Sequence, residues 1–332
     1  WGYFVNSIIY KISTNFNLLI IEAHIISYIV VILNYLIIKK YTTNKIALIF
    51  SIAFIYIDLF SNSTFSFVLP YSFSTIWAVF GIYLVFYSIL YKKDILLYLT
   101  LGFISINRIE LFVLTFTFII AYKLYKKEFN FKKSLLTLIF PIFFILYILI
   151  NKISINDLIT NYNYINLMIK TKAINYIYRF SGGFFDFKFF IYNLEIFIKY
   201  FSLASISYFC YVKKYKFVSI FLLLFIIIFL NVNNIFNIGL FICIILTIIN
   251  HKKNKNKDYI LLAFSIILSS KSIFAINSLL YSNFGYILIL FYIYRQLNFL
   301  INKKWVYLNF LIILIGLSIN KLYFDTGEKF IS

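Results

Sequence analysis

Asn107-Arg108-Ile109-Glu110 is the tightest set of groups in the chain with types suited to chemistry. It stands between two short apolar segments, 95–106 and 109–125. Arg108 offers the planar fork of donors that matches a phosphate, and Glu110 would orient or balance it. The same residues also read as a helix-hairpin turn closed by a local ion pair, and both readings stand at this stage. Lys271, ending the apolar segment 259–272, and Arg179, in a long polar-aromatic stretch, are further phosphate-binding candidates. Lys271 equally reads as a side chain snorkelling to a membrane surface. Glu195 and Lys199 have the spacing and order of a stabilising i,i+4 helix pair. Glu22 and His24 lie two residues apart, so a helix sends them to different sides. A polar contact inside a helix bundle fits them better than a metal site.

Other chemistries lack their residues. There is no GxxxxGK[ST] loop and hence no ATPase signature. His24 and His251 are the two histidines, and neither HExxH nor Cys/His ligand spacing occurs. No serine nucleophile elbow and no arginine-rich voltage-sensor helix occurs. Cys210 and Cys243 both lie in apolar segments, so a disulfide framework has no support. No cofactor is expected, and a divalent metal is left open.

The elements that must position these groups are apolar helices. Of 332 residues, 63% are hydrophobic and 13% charged, and the mean hydropathy is +0.93. Soluble domains run at about 45–50% apolar and about 25% charged, so a soluble globular domain is excluded. An all-α polytopic bundle is expected. Apolar segments fall at 17–38, 46–60, 71–91, 95–106, 109–125, 134–152, 189–212, 217–232, 235–250, 259–272, 284–300 and 305–320. At roughly 25–30 residues per crossing and loop, about twelve crossings fit. The chain then forms one transmembrane helical domain, 1–332.

The net charge is +20. Lysines flank the apolar segments rather than striping a soluble surface, so nucleic acid is not the expected partner; the lipid bilayer is. The clusters are Lys39, Lys40 and Lys45; Lys92 and Lys93; Lys123, Lys126, Lys127, Lys132 and Lys133; Lys213, Lys214 and Lys216; Lys252, Lys253, Lys255 and Lys257; and Lys303 and Lys304. They alternate with connections that are poor in Lys and Arg, or long and mixed, as the positive-inside rule requires if 95–125 crosses twice. Residues 1–16, the long loop 153–188 and the tail 321–332 then lie outside. Asp94, Glu128 and Asp258 sit among the inner lysines and read as balancing charges. The other eight acids, among them Asp58, Asp157, Asp186, Asp325 and Glu328, lie on the outer side or in outer halves of helices. Any chemistry is therefore expected on the outer face.

In patches over nearly its whole length the chain resembles the multi-pass C-type (GT-C) membrane glycosyltransferases. The carriers are Trp1-Gly2-Tyr3-Phe4 with the apolar helix that follows, and Phe67-Val68-Leu69-Pro70-Tyr71-Ser72-Phe73 leading into another. Leu101-Gly102 through Arg108-Ile109-Glu110 is similar to the family's glycine-to-basic-x-acid hairpin. Ser282-Asn283-Phe284-Gly285-Tyr286 resembles a late outer element, and Asp325-Thr326-Gly327-Glu328 the start of a C-terminal outer region. The resemblance implies an inverting transfer from a polyprenyl-phosphate-linked sugar to a glycan, lipid or protein acceptor. The setting it implies is an integral protein of a bacterial plasma membrane with its active face outside. Arg108, with Glu110 as orienter, and then Lys271 and Arg179 would hold the donor phosphate. The family's usual catalytic acid lies in its first outer loop. No Asp or Glu occurs between Trp1 and Ile21, so the catalytic residue is unassigned and is expected upstream of Trp1. Two alternatives stay open: a cell-envelope polysaccharide polymerase or ligase, and a transporter or flippase of lipid-linked sugars.

Overall fold

The computed structural model describes residues 16–56, 73–152, 187–229, 232–269 and 285–327, with six isolated positions between 153 and 171. Residues 1–15, most of the 153–188 loop, Arg179, Lys271 and the last five residues lie outside the described residues. Among those described, the chain is all-helical, with no strand.

Helix boundaries follow the apolar segments closely. α1 is Phe16–Lys39, α2 Asn44–Phe54, α3 Phe73–Leu90, α4 Asp94–Asn107 and α5 Ile109–Tyr125. A short α6, Phe131–Ser134, runs through a 3₁₀ turn, Leu135–Leu138, into α7, Ile139–Ile150. Then come α8 Phe187–Val212, α9 Lys216–Phe229, α10 Val232–Ile249, α11 Asn256–Ser269, α12 Tyr286–Leu297 and α13 Lys303–Gly327. The stretch 95–125 is two helices, as expected. Arg108 breaks it with an extended backbone, φ −148° and ψ 100°. One difference lies at the end of the chain: α13 runs on through Lys321 to Gly327, so the first residues of the expected tail are helical.

Among the described residues, two stretches, Ile20–Lys39 and Phe131–Ile150, are long and apolar enough to cross a membrane. Others are shorter. α4 has 14 residues and α12 has 12, about 21 Å and 18 Å at 1.5 Å per residue, against about 30 Å of hydrocarbon.

The helices gather in two compact units, residues 1–37 with 67–180 and residues 38–66 with 181–332. In the first, α1 buries Ala23, Ile26, Val30, Leu33 and Ile37, while Ile21, Ile25, Tyr28, Ile29 and Ile32 are exposed along another stripe. Both stripes are apolar. Trp77 of α3, Phe103 of α4 and Phe140 of α7 pack edge to face in series, with centroids 5.4 Å apart at each step. Gly102 lets α4 approach the 3₁₀ turn: a Cβ there would press into the Thr137 carbonyl. Four hydroxyls inside helices are satisfied locally. Ser27, Ser88, Thr100 and Thr115 each donate to the carbonyl four residues back.

In the second unit, α12 is buried from Tyr286 through Tyr294, which makes it the central helix. Phe291 packs on Phe50 of α2 at 5.2 Å, and Gly239 of α10 meets Ile289. α8 and α9 are tied by Ser207, whose hydroxyl lies 3.0 Å from both Ser219 Oγ and the Ser219 carbonyl oxygen.

Candidate functional site

The α4–α5 hairpin has two polar ends. At the first, Asp94 begins α4 and receives Lys123 Nζ on Oδ1 at 2.8 Å and Lys133 Nζ on Oδ2 at 3.0 Å. Lys123, itself buried, also reaches Glu128 at 3.4 Å. Asp94 precedes the apolar run 95–106. Burial pushes its carboxyl up, but the hydrogen bonds and charges of Lys123 and Lys133 together outweigh this and hold it below the usual carboxylate range. The cluster ties α4, α5 and α6 together, as balancing acids were expected to do.

At the other end, Arg108 Nη1 donates to Glu110 Oε1 at 3.0 Å. The side chains are 24% and 44% exposed. The contact is the local ion pair of the helix-hairpin turn. Arg179 and Lys271, the other phosphate candidates, fall outside the described residues; of the candidates, the structure describes the pairing of Arg108 with Glu110.

Glu195 and Lys199 form the expected helix pair at 2.7 Å, on an exposed face. Glu22 accepts from Trp77 Nε1 at 2.7 Å, and His24 Nδ1 donates to the Ile20 carbonyl at 2.6 Å. The two side chains part company, as the i,i+2 spacing requires. Glu22 and Trp77 line a groove of about 470 Å³ whose other walls are Leu18, Ile21, Ile25, Ile26, Ile29 and Phe80. Among the described residues, no group of three or more His, Cys, Asp or Glu gathers to hold a metal. Cys210 and Cys243 are free.

One reading needs correction. Asp258 is not a surface acid balancing lysines. Its side chain is fully buried and accepts from Arg295 Nε on Oδ1 and from the Lys255 backbone N–H, at 2.8 Å, on Oδ2. The second bond is that of an acid at the third position of a helix reaching back to the residue before it. Arg295 Nη1 donates to the Tyr41 carbonyl at 3.1 Å. Its guanidinium lies 5.5 Å from the Tyr41 ring and 5.4 Å from that of Phe299. Tyr41 Oη donates to the Lys257 carbonyl at 2.8 Å. This pair went unread in the sequence. Its one signal was Arg295 itself, one of three arginines in a chain that otherwise uses lysine.

Comparison with protein-family models, with curated proteins and with solved structures gives no match.

Proposed function

We propose that the chain is a multi-pass membrane protein of about twelve crossings that transfers a sugar from a lipid-phosphate donor to an acceptor outside the membrane, as C-type glycosyltransferases do. The observation that carries this reading is the asymmetry of the α4–α5 hairpin. Its lysine-rich end is locked by Asp94, and its other end carries the partly exposed Arg108–Glu110 pair. A guanidinium aimed by a carboxylate is suited to a donor phosphate and to the negative charge that grows on it as the sugar leaves. A carboxylate acting as general base on the acceptor hydroxyl completes the scheme, and no residue described here is assigned to it.

Exposed apolar faces support the membrane part of the reading. α7 has no buried residue, and Phe143, Leu146, Leu149 and Ile150 are all exposed. Phe217 and Phe221 of α9 stand out in the same way. In water such faces would drive association, whereas in hydrocarbon they are solvated.

The test is sugar transfer from a polyprenyl-phosphate donor by the full-length chain in vesicles. Arg108→Ala is expected to cut transfer by about 100-fold or more, the effect of losing one stabiliser of developing negative charge. Expression should be unchanged, and Arg108→Lys should retain part of the activity. Unchanged transfer with a lower yield of folded protein would make the pair structural.

A further inference from the structure

The second unit holds a cavity of about 550 Å³ that shares no residue with the Arg108 hairpin. Among its walls are Tyr41, Tyr294, Arg295, Phe299, Lys303 and Lys304. Asp258 answers the charge of Arg295. Lys303 and Lys304 are exposed, and no carboxylate among the described residues pairs with them. The cavity therefore carries an excess of about two positive charges beside aromatic rings. Thr43 and Ile46, at the start of α2, also line it, and no side chain caps that helix end. The dipole of α2 adds to the positive potential there.

The face of α13 names the occupant. Lys303, Tyr307, Leu311 and Ile315 follow at steps of four, so they lie on one stripe. Read from the helix start, that stripe is a cation, an amphipathic ring that lines the cavity, and two aliphatic side chains, the last of them exposed. A free anion has use for the first of these alone. An amphiphile with a phosphate head and an acyl tail uses all four.

We propose that this cavity binds the phosphate headgroup of an anionic membrane lipid, with Lys303 and Lys304 on the phosphate and the α13 stripe along the tail. The proposal rests on the membrane reading above but not on the transferase reading. Arg295 acts as a positioning residue, because it holds Tyr41 and Phe299 in place on the cavity wall.

The experiment uses the full chain in vesicles of phosphatidylglycerol and phosphatidylcholine in equal parts, followed by native mass spectrometry of retained lipid. Wild type should keep phosphatidylglycerol in preference to phosphatidylcholine. Lys303→Gln with Lys304→Gln should weaken retention by about 30-fold, since each lysine near an anionic headgroup contributes about fivefold. Both side chains are exposed, so folding should hold, and Lys303→Arg with Lys304→Arg should restore retention. Lys213→Gln with Lys216→Gln, an equal charge change away from the cavity walls, should retain lipid as wild type does. Equal losses in the two glutamine pairs would overturn the proposal in favour of general surface attraction. Unchanged retention in the Lys303/Lys304 pair would overturn it outright. Displacement of the lipid by millimolar inorganic phosphate would also overturn it, by making the site one for a soluble anion. The membrane reading is tested separately: a wild-type chain that washes off membranes at high pH would defeat both.

Discussion

Arg295→Ala isolates the contribution of the buried ion pair. The change strands Asp258, whose side chain has no exposure, with the Lys255 N–H as its remaining partner. Removing one member of a buried pair costs about 3–5 kcal/mol, because the other charge stays desolvated. The guanidinium also stacks between Tyr41 and Phe299, which adds about 0.5–1 kcal/mol per ring at a partly open site. A loss of about 4–7 kcal/mol is therefore expected, about a thousandfold or more in the folding equilibrium. Against a usual total of about 5–15 kcal/mol, that is a large fraction of stability. Lys199→Ala provides the scale, since its partner Glu195 is also exposed and such a helix pair contributes about 0.3–0.5 kcal/mol. Cys243 is a built-in reporter. It is fully buried on α10, and burial against α12 keeps it from reagents until the unit opens. In a Cys210→Ser background, thiol labelling in detergent against rising denaturant gives the midpoint for each variant. Arg295→Ala should label at much lower denaturant than Lys199→Ala. Asp258→Asn combined with Arg295→Gln should cost less than the sum of the single changes, because no buried charge is then left alone. Equal midpoints for Arg295→Ala and Lys199→Ala would refute the claim that the pair is desolvated.

Three further outcomes are expected. Gly102→Ala should destabilise the first unit by about 1–3 kcal/mol, since the new methyl meets the Thr137 backbone rather than a movable side chain; an unfolding midpoint at or above wild type would refute this. Asp94 has a lowered folded pKa, so its pairing with Lys123 and Lys133 contributes fully above the ordinary carboxylate value, about 3.9, and is lost as pH falls through the folded value. Unfolding curves should weaken below about pH 4 in wild type and much less in Asp94→Asn, and equal acid sensitivity in both would count against it. Cysteines introduced at Asn163 and Lys252 should label from opposite sides of sealed vesicles with an impermeant reagent, and labelling from one side would refute the twelve-crossing arrangement.

The helices were legible because their signal is local. α4 and α5 begin and end within one residue of the apolar segments 95–106 and 109–125, and the break falls on Arg108. Asp94, Arg108 and Lys126 stand at the limits of these two runs, and no long-range packing was needed to place them. Helix faces were not legible in the same way. α1 exposes Ile25 and Ile29 on one side and buries Ile26 and Val30 on another, so apolar periodicity cannot tell the face turned to protein from the face left outside. Partnerships were the least legible. Asp258 directly follows a run of lysines in sequence and so reads as their counter-charge, yet its partner is 37 residues away on α12. Glu22 and Trp77 are 55 residues apart. Both pairings exist only once helices have packed.

The lysines show why a charge count alone misleads. Lys92, Lys127, Lys152 and Lys214 all have positive φ, between 52° and 69°. Each stands just past the end of a helix, α3, α5, α7 and α8, at the turn where glycine is usual. The turn bonds are in place: Lys127 N–H donates to the Leu124 carbonyl at 3.0 Å and Glu128 N–H to that of Lys123 at 2.9 Å. Left-handed backbone costs a side chain about 1–2 kcal/mol, and a cation beside the carbonyl end of a helix returns about 0.3–1 kcal/mol. The balance favours glycine at these turns on stability alone. Three of the four, Lys92, Lys127 and Lys214, belong to the basic clusters that would orient the chain on the proposed membrane reading, which gives a positive charge there a use beyond stability. Lys152 belongs to no such cluster, and its place is explained by the helix end alone. On the proposed membrane reading, a lysine in this chain therefore bears on topology when it comes in a cluster, and on local turn chemistry when it stands singly at a helix terminus.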